Sequence, residues 1–295
     1  MNGFSASEAA LEGFRLTRER PGTIAVWSII NALAILLLGG VMLLSLGLPF
    51  IDFMKKGGLT NGDPEAMAEM LSHSWPAFML VMVLVVLFLS VLTGGIYRLV
   101  LRPGERGLAH LRLGADEFRL TAVNLGLFAI GVFSLVAAEL VVAAVTAQGG
   151  AAAGVAAGIL AAVPVTWIGV RLSLATPITF AERRISISAS WTFTRGRFWP
   201  LFGMIALSLV FYVMIWVLMA MIIGPLVQLA GGSVNLLELK HLGPTAIAVG
   251  IVTFLAQMLL PVLQWVIIYA PFAVAYQQLH GDQPANPLRA RTERV

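Results

Sequence analysis

Residues 120–178 read LTAVNLGLFAIGVFSLVAAELVVAAVTAQGGAAAGVAAGILAAVPVTWIGVRLSLATPI, and Glu139 and Arg171 are the only charged side chains in this stretch. As one straight helix it would be about 88 Å long, whereas the apolar core of a bilayer is about 30 Å thick. Gly149 and Gly150 supply a flexible point at which the chain can fold back. The stretch therefore predicts two adjacent membrane spans rather than one.

The composition of the rest of the chain agrees with this interpretation. Hydrophobic residues make up 59% of the sequence and charged residues 12%, against about 45–50% and about 25% in soluble domains. Six apolar blocks occur, at 23–50, 75–101, 120–147, 151–178, 199–230 and 244–279. We expect an all-α, polytopic transmembrane helix bundle of six spans, forming one integral membrane domain over residues 1–295. The first block is expected to be a retained span rather than a cleaved signal sequence.

The distribution of basic residues predicts the orientation of these spans. Sixteen of the 19 Lys and Arg residues fall in segments on one side of the predicted membrane, and only Lys55, Lys56 and Lys240 fall on the other. Short loops rich in Lys and Arg stay in the cytoplasm. Both termini, including the tail at 281–295, are therefore predicted to be cytoplasmic.

A short motif recurs before alternate spans. Phe14-Arg15-Leu16-Thr17 leads into the first span, Phe118-Arg119-Leu120-Thr121 leads into the third, and Trp191-Thr192-Phe193-Thr194-Arg195 is a looser version before the fifth. The pattern predicts three tandem helical hairpins, at 8–102, 103–178 and 183–280, each preceded by a cytoplasmic interfacial segment. The alternative is that the membrane interface itself selects an aromatic residue followed by Arg and Leu.

Two connecting segments carry a family resemblance. Residues 97–119 (YRLVLRPGERGLAHLRLGADEFR) and 171–202 (RLSLATPITFAERRISISASWTFTRGRFWPLF) resemble bacterial inner-membrane proteins grouped with the glycerophosphodiester phosphodiesterase membrane-domain family. The resemblance implies a multi-helix bundle in the bacterial inner (cytoplasmic) membrane and brings no catalytic residues. No segment is long and polar enough to hold the soluble phosphodiesterase barrel that gives the family its name.

Three polar residues within the predicted spans are candidates for an intramembrane site. Glu139 lies inside the third span, where a carboxylate costs about 2.5–3.5 kcal/mol, so it is expected to face a cavity or a partner. It could couple transport to protons or cations, be a protonated acid that hydrogen-bonds between helices, or lie high enough in the span to reach the outer interface. Gln257 and Gln264 share one helical face. They could line a transport path or only join helices by hydrogen bonds.

Gly154 and Gly158 predict close packing of the fourth span against the third.

Four arginines near the fifth span are candidate contacts for lipid headgroups, because a guanidinium matches phosphate oxygens in a bidentate geometry. They are Arg183, Arg184, Arg195 and Arg197. The alternative is that they only determine topology. The segment from 183 to 198 alternates with a period of two, which is typical of a strand. An unpaired strand edge is not tolerated in lipid, so an interfacial helix or an extended surface segment is expected.

The sequence carries no signature of an enzyme: no nucleotide-binding loop, nucleophile elbow or zinc-type pair of histidines occurs. No cofactor or metal is predicted, and the absence of Cys excludes disulfides and thiolate sites. We expect a non-enzymatic protein that associates with membrane lipids, with a membrane protein partner or with a second copy, and not with nucleic acid. The alternative is a small-solute or lipid transporter coupled through Glu139.

Overall fold

The structure, a computed structural model, describes residues 4–55, 64–105, 109–229 and 244–281. Within these ranges every regular element is a helix and no strand occurs. The helices are α1 (Ala6–Glu19), α2 (Pro21–Lys55), α3 (Pro64–Leu101), α4 (Ala115–Leu172), α5 (Ala175–Glu182), α6 (Ile187–Phe193), α7 (Phe198–Leu229) and α8 (Pro244–Gly281). The expected all-helical fold class is confirmed.

Five helical segments in the described part of the chain are long and apolar enough to cross a membrane. They are Pro21–Gly47, Ser74–Leu101, Ala115–Glu182, Phe198–Gln228 and Ile247–Gly281. Large apolar side chains such as Leu44, Phe133 and Met221 are exposed along them. Such extensive apolar exposure is unfavourable in water and suits hydrocarbon. The helices are those of a multi-pass membrane protein.

The helix α4 doubles back at Gly150, which has φ +76° and ψ −178°. A side chain disfavours this backbone conformation, so glycine is the natural residue for the bend. A Cβ added at Gly154 would overlap the Thr146 hydroxyl, and one added at Gly158 would lie 4.0 Å from Val142 Cγ2. In a continuous helix, positions 142 and 158 would be about 24 Å apart. The two arms of α4 therefore lie against each other, as the glycines predict.

The buried core is concentrated at one end of the bundle, where α1, α5 and α6 also lie. One apolar cluster joins Trp27, Tyr97 and Phe180 to the second half of α8, and another joins Leu174 and Leu201 to the end of α8. The helix α8 is central, since it packs against α1, α2, α3 and α7. The opposite ends of the long helices are mostly exposed. The packed end is therefore where side chains are held most precisely.

The segments that precede the long helices α2, α4 and α7 differ from one another in structure. The amphipathic α1 is separate from α2, and the break between them is at Arg20. The segment at 183–198 contains the short helix α6, in agreement with an interfacial helix, whereas residues 109–114 are irregular and α4 begins at Ala115. The fourth apolar block extends to residue 178, but α4 ends at Leu172 and α5 follows as a separate helix. Hydropathy does not detect this break because both helices are apolar.

Candidate functional site

A buried ion pair joins the end of α3 to the start of α4. The Arg98 guanidinium contacts the Glu117 carboxylate, and the two side chains are 4% and 0% exposed. Arg98 Nη1 also donates a hydrogen bond to the His110 carbonyl at 3.0 Å. Glu117 Oε2 accepts one from the backbone N–H of Gly114 at 2.9 Å, so its carboxylate caps α4. Both charges are thus compensated within the protein.

A second, more exposed layer of charges surrounds this pair. Arg102 lies 3.2 Å from Asp116, and its Nη2 donates a 2.7 Å hydrogen bond to the Phe180 carbonyl. Its guanidinium also lies 4.6 Å from the centre of the Phe180 ring, a favourable cation–π arrangement. Asp116 in turn accepts a 2.7 Å hydrogen bond from Arg119. These contacts join the segment after α3 to the start of α4 and to the end of α5.

The connector before α4 is held in an unusual conformation by two side chains of the bundle. Ala109 and His110 both have positive φ, +48° and +63°. The Ala109 carbonyl accepts a 2.7 Å hydrogen bond from Trp27 Nε1, just as the His110 carbonyl accepts one from Arg98. Burial lowers the pKa of the His110 imidazole, and the nearby Arg20 and Arg98 cations lower it further. This histidine is therefore neutral at pH 7.

The charge cluster around Arg98 and Glu117 is best explained as a structural lock. Removing one member of a buried ion pair costs about 3–5 kcal/mol, because the other charge remains without compensation. The two side chains are 4% and 0% exposed, so the pair is closed to solvent. It has no access for a substrate.

Arg171, near the end of α4, is an equally buried arginine in a different environment. The residue is 8% exposed, and among the described residues its guanidinium makes no ion pair or hydrogen bond. It lies 5.8 Å from the ring centre of Trp167 and 4.9 Å from that of Trp191, in the corner between two nearly perpendicular indoles. Its Nε is buried and has no hydrogen-bond partner within the described ranges.

Cation–π contacts offset only part of the cost of burying the Arg171 charge. Each contact with an indole contributes about 0.5–2 kcal/mol, whereas the desolvation penalty is several kcal/mol per ion. The hydroxyls of Ser190 and Thr194 contact the backbone carbonyl of Arg171, at 2.8 and 3.2 Å, rather than its guanidinium. Arg171 is therefore a buried cation that lacks an anionic partner in the described structure.

A cavity of about 520 Å³ lies between the two arms of α4 and the helices α7 and α8. Most of its lining is apolar, and Asn124, Ser134 and Tyr269 are among the few polar residues that line it. A groove of about 580 Å³ continues along the arms of α4 to Val145 and shares Ser134 and Val165 with the cavity. From Asn124 to Val145 the helix rises by about 30 Å. The space is long, apolar and open at the helix surface.

A smaller, polar cavity of about 330 Å³ lies between α1 and the ends of α3 and α8. It is lined by Glu8, Glu12, Arg15, Glu19 and Arg20 among others. Glu12 is almost fully buried, and burial raises the pKa of its carboxyl above the usual range, while the Arg15 guanidinium at 3.2 Å opposes this shift. The carboxyls of Glu8 and Glu19 raise the pKa of Glu12 as well.

The structure does not bring the three predicted intramembrane residues together. Glu139 is exposed on the first arm of α4 and lines neither the apolar cavity nor its continuing groove. Gln257 is exposed on α8. Gln264, seven residues further along α8, is half-buried. Its Nε2 is buried without a hydrogen-bond partner within the described ranges. A shared site of these three residues is not formed in this conformation.

The four predicted headgroup arginines also lie in different surroundings. Arg183 lies 3.3 Å from Glu105, and Arg184 lies 2.6 Å from Glu182, both at the surface. Arg195 is exposed and Arg197 is half-buried, in the turn between α6 and α7. Two of the four are therefore already paired with carboxylates of the protein.

Sequence reasoning missed Arg171 and the apolar cavity. The sequence places Trp167 four residues before Arg171, and therefore one indole on the same helical face. The second indole comes from α6, and no local pattern in the sequence predicts that contact. Within the described residues, no group of three or more His, Asp or Glu side chains lies close enough to hold a metal ion.

No protein-family model, curated protein or solved structure matches this chain. The resemblance to the glycerophosphodiester phosphodiesterase membrane-domain family therefore stays a prediction based on the two connecting segments.

Proposed function

We propose that this chain is a non-enzymatic integral protein of the bacterial inner membrane that holds a membrane lipid between its second and third helical hairpins. Its six spans form three hairpins, and both termini lie in the cytoplasm. Membrane lipids are its immediate partners. A membrane protein partner or a second copy of the chain stays a prediction.

Contacts between successive hairpins support the three-hairpin arrangement. At the end of the first hairpin Arg98 contacts Glu117, which precedes the second. At the end of the second hairpin Arg171 contacts Trp191, which precedes the third. At the end of the third, Gln278 accepts a hydrogen bond from the backbone N–H of Ser5, at 3.3 Å, next to α1. Each proposed hairpin thus ends on a contact with the segment that leads into the next, although the three contacts differ in chemistry: an ion pair, a cation–π contact and a hydrogen bond.

Cysteine pairs test the arrangement directly, because the natural chain has no Cys. We expect a disulfide between Val142→Cys and Gly158→Cys, whose side chains face each other across the arms of α4. Val142→Cys combined with Gly169→Cys is the control and is expected to stay reduced.

A single Gln148→Cys is expected to react with a membrane-impermeant maleimide from outside intact cells, and Arg195→Cys is not. A reversed labelling pattern would contradict the orientation.

The apolar cavity is the observation that carries the lipid-binding proposal. It lies between helices that are apolar enough to cross a membrane, and together with the continuing groove it is long enough for an acyl chain. Ligand sites of this size are mostly apolar with a few polar groups, and this lining has that composition. Glu139 lies outside the cavity, so the alternative of transport coupled through this carboxyl has no geometric support from it.

Two glycines allow the cavity to be filled without a backbone clash. Gly131 and Gly169 line it, and a Cβ added at either meets no atom within 4 Å. We expect Gly131→Leu with Gly169→Leu to reduce the number of phospholipids retained by the purified protein in mild detergent, measured by native mass spectrometry. Gly203→Leu is the matched control, since Gly203 is equally open and does not line the cavity. Equal lipid retention by all three proteins would refute the proposal.

A further inference from the structure

Arg171 is a buried cation that no carboxylate of the described residues neutralises. The side chain is more than nine-tenths buried, and no carboxylate of the described chain pairs with it. The comparable arginine at the end of the first hairpin, Arg98, has Glu117 as its counter-ion. In the motif before the third hairpin, Ser190 takes the place of that glutamate, and its hydroxyl is used by the Arg171 carbonyl. Within the described ranges, therefore, no carboxylate supplies a negative charge at this position.

We propose that Arg171 binds a phosphate group in the corner formed by Trp167 and Trp191. A guanidinium donates two parallel hydrogen bonds to phosphate oxygens, and such charge-assisted bonds are stronger than neutral ones. The ring centres of the two indoles lie 5.8 and 4.9 Å from the guanidinium carbon, so the indoles flank the group. They are 44% and 37% exposed, so the corner is open to the surface. Tryptophans prefer the depth of lipid headgroups, which makes a phospholipid the natural source of the phosphate.

This inference deepens the proposed lipid-binding function by naming the headgroup chemistry, and its phospholipid form rests on that function. The phosphate site and the acyl-chain cavity are nevertheless separate. Trp167 and Arg171 are four residues apart on one face of α4, and neither lines the cavity, although Thr166, Val170 and Leu172 do. The two sites can therefore be disabled independently.

The experiment uses the full chain purified in mild detergent and measures the affinity for three probes. Phosphatidylglycerol has both acyl chains and a phosphate, diacylglycerol has acyl chains only, and inorganic phosphate has no chains. We expect Arg171→Gln to bind phosphatidylglycerol about tenfold to a hundredfold more weakly than the natural protein and to bind diacylglycerol equally well. Arg119→Gln removes an arginine that is 35% exposed and already paired with Asp116, and it is the matched control. It is expected to change neither affinity.

The cavity variant separates failure of this inference from failure of the proposed function. Gly131→Leu with Gly169→Leu is expected to weaken both lipids while leaving inorganic phosphate binding intact. If inorganic phosphate binds in an Arg171-dependent manner and phosphatidylglycerol does not, the phosphate site stands and its ligand is a soluble anion. If Arg171→Gln leaves the affinities for phosphatidylglycerol and inorganic phosphate unchanged, the inference is overturned.

A second variant covers the case in which Arg171→Gln does not fold. Arg171→Lys keeps the positive charge but loses the bidentate geometry, and it is expected to weaken phosphatidylglycerol binding by less than the Gln variant. The natural protein alone also gives a decisive measurement, because a bound ligand raises the thermal midpoint by mass action. If neither phosphatidylglycerol nor inorganic phosphate raises the midpoint, Arg171 holds no phosphate.

Discussion

Replacement of Glu117 by Ala tests the assignment of the buried ion pair as a structural lock. The variant leaves Arg98, which is 4% exposed, without its counter-ion and removes the 2.9 Å hydrogen bond that caps the start of α4 at Gly114. Breaking a buried pair costs about 3–5 kcal/mol, because the remaining charge stays desolvated. An exposed pair contributes about 0–1 kcal/mol. Glu182→Ala, which removes the partner of the 67% exposed Arg184, is the matched control.

The free energy of unfolding is measured in mixed micelles by titration with a denaturing detergent, with helix content as the readout. We expect Glu117→Ala to lower it by about 3–5 kcal/mol and Glu182→Ala by about 1 kcal/mol or less. The double variant Arg98→Met with Glu117→Leu removes both charges and is expected to be more stable than Glu117→Ala alone. If Glu117→Ala and Glu182→Ala differ by less than about 1 kcal/mol, the pair is not the lock that its burial indicates.

Three further predictions concern the packed end of the bundle. Gly13→Ala is expected to displace α1 and lower the thermal midpoint, because its Cβ would lie 2.6 Å from a backbone atom of α8. Gly22→Ala is the control and should keep the midpoint, because the space around Gly22 is open. Burial raises the pKa of Glu12, so the folded state holds the carboxyl proton of Glu12 more tightly than the unfolded state does. Stability is therefore expected to fall as pH rises from about 4.5 through the raised pKa. In a titration of the thermal midpoint against pH, Glu12→Gln should flatten the curve over this pH range. Trp27→Phe removes the hydrogen bond to the Ala109 carbonyl and is expected to cost about 1–3 kcal/mol in the same unfolding assay, because that carbonyl is left unpaired.

Sequence patterns predicted the glycine contacts of α4, but they did not predict which polar side chains are buried. Local signals worked where the cause is local: Gly150 allows the bend in α4, and Gly154 allows the close contact with Thr146. They did not rank the polar residues correctly by environment. Glu139 has the most conspicuous position in the sequence, yet it is exposed, whereas the less conspicuous Arg171 is buried between two indoles.

The sequence by itself determined that the chain is an all-helical membrane protein, because length and continuity of apolar blocks are properties of the chain alone. It also determined where the long apolar stretch at 120–178 folds back, because glycine acts through its own backbone freedom. Only the tertiary structure decided which charges are compensated. Arg98 meets Glu117 across nineteen positions, and Arg171 meets Trp191 across twenty. Whether a buried cation has a counter-ion depends on which helices pack together, and packing between distant segments leaves no local pattern in the sequence.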